Sequence, residues 1–375
     1  MVSSTYAVEL LKKALEIYTP SRKESVLARL IAEKASSELG FESVHTDDVG
    51  NVIATKGYGR PRMLLCGHMD TVPGQMPVRT TDGYIYGRGA SDAKSPLIAM
   101  LLAASMVQRE YGTVIFAGLV DEEGNATGVK NLVRSKVDAD YAIFGEPSGI
   151  DNITIAYKGR LALRVTCDAG TSAHASAPSL AKNAIEEIFD VWGSIKSSIE
   201  GKNQGGGGKN GSGVTCCLTE IDGGSSHNVT PAKCKVTIDV RVPTKMDTRG
   251  VLEMLDRAIK DVVAKRGIKV NYRLEDRTEP FEADHTSPLV RALVLGVLDV
   301  KGKRPMLVRK TGTGDMTVLG TVLKIPVVTY GPGDTHSSHS AEERVSIEEY
   351  VSSIEVLKRT LYHLSRLHRK RKQGS

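Results

Sequence analysis

His68 and Asp70 lie two residues apart in MLLCGHMD, at the end of an apolar run. In an extended chain such neighbours share a face, so Asp70 can accept a hydrogen bond from one imidazole nitrogen while the other is left for a metal. Asp92 follows the glycine turn of YGRGASDAK, just before a long apolar stretch. The same position would suit a helix cap. Asp121, Glu122 and Glu123 stand side by side in LVDEEG, where three carboxylates repel one another unless water or a cation screens them. With a metal present, Glu123 can bind it and Glu122 can take a proton from water. Glu146 closes the apolar run AIFGEP, a place where an unpaired charge is costly. His336 and His339 in HSSHSAEERV offer two further imidazoles. Each motif alone has a structural explanation. Jointly they form a nitrogen and oxygen donor set without thiolates, which suits a catalytic site for zinc, cobalt or manganese.

These segments end short apolar runs, and open α/β sheets carry their sites at strand ends. The spacing predicts strands over residues 51–55, 63–66, 113–120 and 141–144, and helices over 7–18 and 26–39. Residues 95–107 are apolar nearly all round, which predicts a deeply buried helix. Alternation of this kind gives an α/β layer structure. From about residue 155 the order becomes strand, helix, strand, strand, helix, strand, a compact α+β unit of ferredoxin-like type. The tract GKNQGGGGKNGSG, residues 201–213, reads as a flexible loop inside it. A helix over 288–298, a strand over 327–330 and a helix over 347–368 return to the first pattern. The expected division is 1–155 and 282–375 for a discontinuous catalytic domain, with 156–281 inserted.

A chain of 375 residues, 40% hydrophobic and 25% charged, has room for two cores. Its net charge of +6 is partly concentrated in the tail at Arg366, His368, Arg369, Lys370, Arg371 and Lys372, read as solvated and frayed. Such basic excess suits an acidic partner, but no nucleic-acid module is present. The five cysteines are odd in number and form no Cys-x-x-Cys pair, which argues against both a disulfide framework and a zinc knuckle. Residues 1–15 are amphipathic and unlike a signal peptide, and no apolar run reaches membrane-spanning length, so a soluble cytoplasmic protein is expected.

GHMDTVP, GRGASDAK, DEEG and GEPSG, in this order and spacing, resemble the M20 metallopeptidase family along essentially the whole chain. The resemblance implies a zinc-peptidase-like catalytic domain with a mixed sheet and an inserted lid or dimerisation domain. It implies two divalent metal ions per subunit, zinc or cobalt, with His68 and Glu146 on one, Glu123 and His339 on the other, and Asp92 bridging them, its following peptide bond cis. Glu122 would be the general base and Asp70 would orient His68. The resemblance also prefers His339 to His336, since the family's last histidine has an acidic residue four positions on, here Glu343. TSAHAS resembles the segment whose histidine, here His174, stabilises the oxyanion, often across a dimer. Asn228 in HNVTP and Arg241 in DVRVP match substrate-contacting positions, Arg241 being suited to a carboxylate.

Longer segments, GHMDTVPGQMPVR, ITIAYKGRL, KTGTGDMTVLG and TYGPGDTHSSH, resemble the [LysW]-lysine/[LysW]-ornithine hydrolases of that family. These release lysine or ornithine from the C-terminal glutamate of a small acidic amino-group carrier protein in amino-acid biosynthesis. The resemblance implies the carrier as substrate and a homodimer. The loop of residues 311–316, with Thr313, Gly314 and Asp315, would receive the released amino acid, its carboxylate on backbone N–H groups and its cationic group near Asp315. Within the family the alternatives are deacetylation of acetylornithine or acetyllysine and desuccinylation of succinyl-diaminopimelate. A non-catalytic binding protein is disfavoured because no ligand or base is missing.

Overall fold

The strand Arg62–His68 has six of its seven residues buried, because both of its faces are covered. It lies between Thr113–Leu119 and Tyr141–Gly145 and is parallel to both; Tyr141–Gly145 is in turn parallel to Val327–Thr329. Antiparallel Val52–Lys56 and Ser43–Thr46 extend one side of the sheet, and Asn152–Tyr157 pairs antiparallel beyond Val327–Thr329. The four parallel strands therefore share one C-terminal rim. His68, Glu146, the turn at residues 120–124 and the loop at 330–339 all leave from it.

The computed structural model of the protein describes residues 3–204 and 213–373. The chain forms two units, one of Met1–Ala156, Glu282–Arg309 and Val318–Ser375, the other of Tyr157–Phe281 and Lys310–Thr317. Residues 310–317 thus group with the second unit, whereas the sequence division leaves them with the first. Thr313 supplies a reason: its hydroxyl donates to the Lys158 carbonyl (3.0 Å) and accepts from Arg241 Nη1 (3.1 Å).

In the first unit the helix Lys94–Ser105 is buried at every position, as its all-round apolar character requires. It packs between the sheet and the helix Ile347–Gln373, which also runs along Pro288–Lys301. That last crossing is close. A Cβ added at Gly296 would come within 2.4 Å of Thr360 Oγ1 and 2.8 Å of the Val356 carbonyl oxygen. The C-terminal segment differs from expectation, since the helix runs on through the basic tail instead of fraying at 368. The guanidinium of Arg366 stacks on Tyr362, and Arg369 donates to the Glu110 carbonyl. The His368 ring meets Tyr141 edge-on, with Nδ1 3.1 Å from the tyrosine hydroxyl.

The second unit is a four-stranded antiparallel sheet in the order Thr215–Gly223, Lys233–Val242, Gly159–Asp168, Lys269–Thr278. Burial alternates along Lys233–Val242, so one face is turned to a core. The helices Ala184–Gln204 and Thr248–Arg266 cover that face, joining Ile188, Val191 and Ile195 to Leu163, Val165, Val236 and Ile238. The first of these helices takes residues 201–204 from the tract expected to be loop. Ile195 and Ile199 continue its apolar stripe, and the Asn203 side chain pairs with both backbone groups of Val214. The remainder of that glycine tract, 205–212, lies outside the described residues. The expected loop at 311–316 is likewise shorter, because a helix, Asp315–Leu323, begins at Asp315. All five cysteines are free, and no helix among the described residues is long and apolar enough to cross a membrane.

Candidate metal centre

His68 is fully buried at the end of its strand, with Nε2 3.3 Å from Asp92 Oδ1 and 3.4 Å from Glu146 Oε1. On the other side of Asp92, His339 Nε2 lies 3.4 Å from Oδ2 and 2.8 Å from Glu123 Oε1. Donor atoms of His68, Asp92 and Glu146 fall within 4.8 Å of one another, as do those of Asp92, Glu123 and His339. Asp92 belongs to both groups, one oxygen facing each histidine. The Asp92–Ala93 peptide bond is cis. His336 enters neither group; it is exposed and its backbone N–H bonds Asp334 Oδ1 at 2.9 Å.

Burial pulls the His68 pKa down, but Asp70, Asp92 and Glu146 outweigh it and hold the imidazole well above its ordinary value. His339 is pushed up to about 9, first by its bond to Asp92, with burial opposing and Glu123 assisting. Burial raises the Asp92 carboxyl, yet the two histidines overcome this and keep it well below the usual range. Glu123 is raised, because burial exceeds the pull of the histidines. In the protein alone, then, protons on two imidazoles balance the converging carboxylates. A dication bound through the same atoms meets the same electrostatic demand, so the residues fit a metal. The imidazole and carboxylate donors suit zinc, cobalt or manganese.

Asp70 faces His68 through both its carbonyl and its carboxylate. The nearest acceptor for His68 Nδ1 is the Asp70 backbone carbonyl at 2.9 Å, while the carboxylate stands at 3.5 Å. That carboxylate also accepts the backbone N–H groups of Glu122 and Glu123, each at 3.0 Å, and the Ser21 hydroxyl at 2.8 Å. One residue thus ties the histidine strand to the acidic turn.

Sequence reading missed the structural weight of Glu343, which it used only to choose between histidines. Glu343 is fully buried, and its Oε1 accepts the N–H groups of Gly89, Ser91 and Asp92 at 3.1, 3.0 and 2.9 Å. Its Oε2 accepts from Arg88 Nη1 at 2.7 Å, and the same nitrogen reaches the Ser340 carbonyl, one residue past His339. The loop carrying Asp92 and the loop carrying His339 are joined there. Gly89 takes φ +89 in this loop, and a Cβ on it would meet Lys94 at 2.9 Å.

Residues 64–363 match the peptidase family M20/M25/M40. The chain belongs to that family. It is a hydrolytic enzyme acting on amide bonds. It is 38% identical over 357 residues to a Thermococcus kodakarensis protein provisionally named as a [LysW]-lysine/[LysW]-ornithine hydrolase, covering 95% of this chain and 92% of the relative. It is 34% identical to the [LysW]-lysine/[LysW]-ornithine hydrolase of Sulfurisphaera tokodaii, over 93% of this chain and 95% of that one. Its fold resembles the crystal structure of aminopeptidase PepT from Bacillus cereus, with TM-score 0.82 at 20% identity, over 97% of this chain and 99% of PepT.

The second unit of this M20 enzyme brings some of the remaining expected residues together. His174 bridges to Val229, and the Ala175 N–H donates to the Asn228 carbonyl at 2.8 Å, so His174 and Asn228 occupy adjoining loops. His174 is exposed, with Nδ1 2.7 Å from Ser176 Oγ. Arg241 meets Thr313, as described, but Asp239 already engages its fork through Nε at 2.6 Å and Nη2 at 3.3 Å. Gly314 lies against the Tyr157 ring, and Asp315 is buried. The basic tail lies away from the metal centre. His368 sits at Tyr141, the first residue of the strand whose other end leads to Glu146, and Arg369 sits at Glu110, ahead of Thr113–Leu119. Charge in the tail therefore does not line the rim where the donors converge.

Proposed function

We propose that this M20 enzyme is a dinuclear metal-dependent hydrolase releasing lysine or ornithine from the C-terminal glutamate of an acidic amino-group carrier protein, a step of lysine and arginine biosynthesis. The observation that carries the chemistry is the sharing of Asp92 by two donor groups. Similarity along nearly the whole chain to relatives bearing the carrier-hydrolase name supports the substrate.

His68, Glu146 and Asp92 would hold one divalent cation, and Glu123, His339 and Asp92 the other. Such cations polarise a scissile carbonyl and acidify water. Glu122 accepts the proton of the attacking water as its oxygen closes on the carbonyl carbon. It then passes that proton to the nitrogen as the C–N bond breaks, leaving a carboxylic acid and an amine, which become carboxylate and ammonium by proton exchange. To His174 we assign the hydrogen bond to the oxyanion, and to Asn228, Arg241, Thr313, Gly314 and Asp315 the binding of the departing amino acid. These assignments, like a homodimer formed through the second unit, rest on the sequence resemblance.

Dialysis against a chelator is expected to abolish hydrolysis, and zinc or cobalt to restore it. Protons on His68 and His339 compete with the metal, so apparent metal affinity rises as pH climbs toward about 9, where His339 loses its proton unaided. Near neutral pH each cation should displace about one proton, read by calorimetric titration in two buffers of different ionisation enthalpy. Metal uptake without proton release counts against ligation by these histidines. The substrate is tested by comparing kcat/KM on carrier-linked lysine or ornithine with that on free acetylornithine. A preference of about tenfold or more for the carrier-linked amide is expected; the reverse preference overturns the carrier assignment and leaves a deacetylase.

A further inference from the structure

Three consecutive backbone N–H groups of the acidic turn end on two buried carboxylates from distant parts of the chain. Those of Glu122 and Glu123 go to Asp70, and that of Asp121 goes to Glu24 Oε1 at 2.9 Å. Glu24 is 3% exposed and precedes the helix Ser25–Ser37, yet its side chain does not cap that helix. The same Oε1 also accepts from the Arg22 N–H at 2.9 Å.

Residues 19–24 grip the neighbouring strand end as well. The Thr19 hydroxyl donates to the Met69 carbonyl at 2.8 Å, and the Thr71 N–H returns to the Thr19 carbonyl at 2.8 Å. Ser21 adds its bond to Asp70. One short segment therefore contacts both the His68–Asp70 strand end and the turn bearing Glu122 and Glu123. Asp121 sits in the left-handed region at φ 60, which a residue with a side chain keeps only where its surroundings over-determine it. Glu24 on its N–H and Thr127 on its carboxylate provide that constraint.

We propose that Glu24 is a positioning residue: by fixing Asp121 in its left-handed conformation it sets the direction in which Glu122 and Glu123 leave the turn. The proposal rests on the metal-centre reading above. It assigns a function to a side chain that touches neither donor group.

Glu24→Ala is expected to lower kcat by roughly 10–100-fold with KM within about twofold, and to weaken the second cation by a similar factor in calorimetric titration of the metal-free protein. Glu24→Gln keeps an acceptor oxygen for both N–H groups and is expected to recover most of both quantities. Glu24→Asp, which keeps the charge but draws the acceptor back from the Asp121 N–H by one methylene, should show a smaller loss of the same kind and decides the matter if Glu24→Ala does not fold. Equal defects in the alanine and glutamine variants overturn the proposal. So does a lowered Tm with kcat per folded molecule unchanged. A wild-type protein that binds fewer than two cations overturns the metal-centre reading and this proposal with it. Two equally tight cations in wild type and Glu24→Ala, with equal kcat, overturn the proposal alone.

Discussion

Glutamine in place of Glu122 is expected to lower kcat by about 10³-fold while both cations stay bound. The turn makes the substitution a clean one. Position 122 is fixed by its backbone N–H on Asp70, at 3.0 Å, and this bond does not depend on the side chain. Glu123 is fixed independently through its own N–H and faces His339 at 2.8 Å. Glu122 lies in neither donor group, so its loss of charge removes no donor atom. An amide of the same shape cannot take a proton from water, and transfer to the leaving nitrogen is lost with it. Glu123→Gln is the contrasting variant, since it should loosen the cation shared with His339 before it affects anything else. Steady-state kinetics alongside metal content separates the two. A Glu122→Gln enzyme within tenfold of wild type at full metal content would falsify the role of Glu122 as base.

The residues of the centre were legible because the physics that makes a strand apolar also marks where it stops. His68 and Glu146 each end a run that is buried on two faces, and a charge placed there needs a partner. The links between these residues were not legible. Glu343 reaches the Asp92 N–H across 251 positions, and Glu24 reaches Asp121 across 97, through loops whose conformation only tertiary packing settles. How His68 divides its contact between the carboxylate and the carbonyl of Asp70 depends on the backbone angles of residues 68–70, to which side-chain spacing is blind. The pairing of Arg241 with Asp239 is a different case, because it was open to sequence reading. Asp239 lies two positions away on the same strand and so on the same face, and the period-2 rule used for His68 and Asp70 would have paired them. The helical tail shows the reverse error. The charges suggest a solvated end, whereas the Arg366 guanidinium sits over the Tyr362 ring and the His368 ring meets Tyr141 edge-on.

Glu343→Ala is expected to destabilise the metal-free protein by about 3–5 kcal/mol, because it leaves a nearly buried arginine without its carboxylate. Arg88 is 8% exposed and Glu343 is fully buried, so water cannot readily replace the missing group. Three N–H groups, those of Gly89, Ser91 and Asp92, lose their common acceptor at the same time. The expected fall in Tm is on the order of 10 °C. Glu343→Gln retains one acceptor oxygen and should cost about 1–3 kcal/mol. Removing Arg88 in the same chain as Glu343 should recover part of the alanine loss, since no uncompensated charge then stays behind. The measurement belongs on metal-free protein, where stability gained from bound cations does not enter. Metal titration then reads the second consequence. Glu343 holds the Asp92 N–H while Arg88 holds the Ser340 carbonyl beside His339. Loss of the pair should therefore weaken both cations together, unlike Glu123→Gln, which should weaken one. An unchanged Tm, or a loss confined to a single cation, would show that the two loops are held by something other than this ion pair.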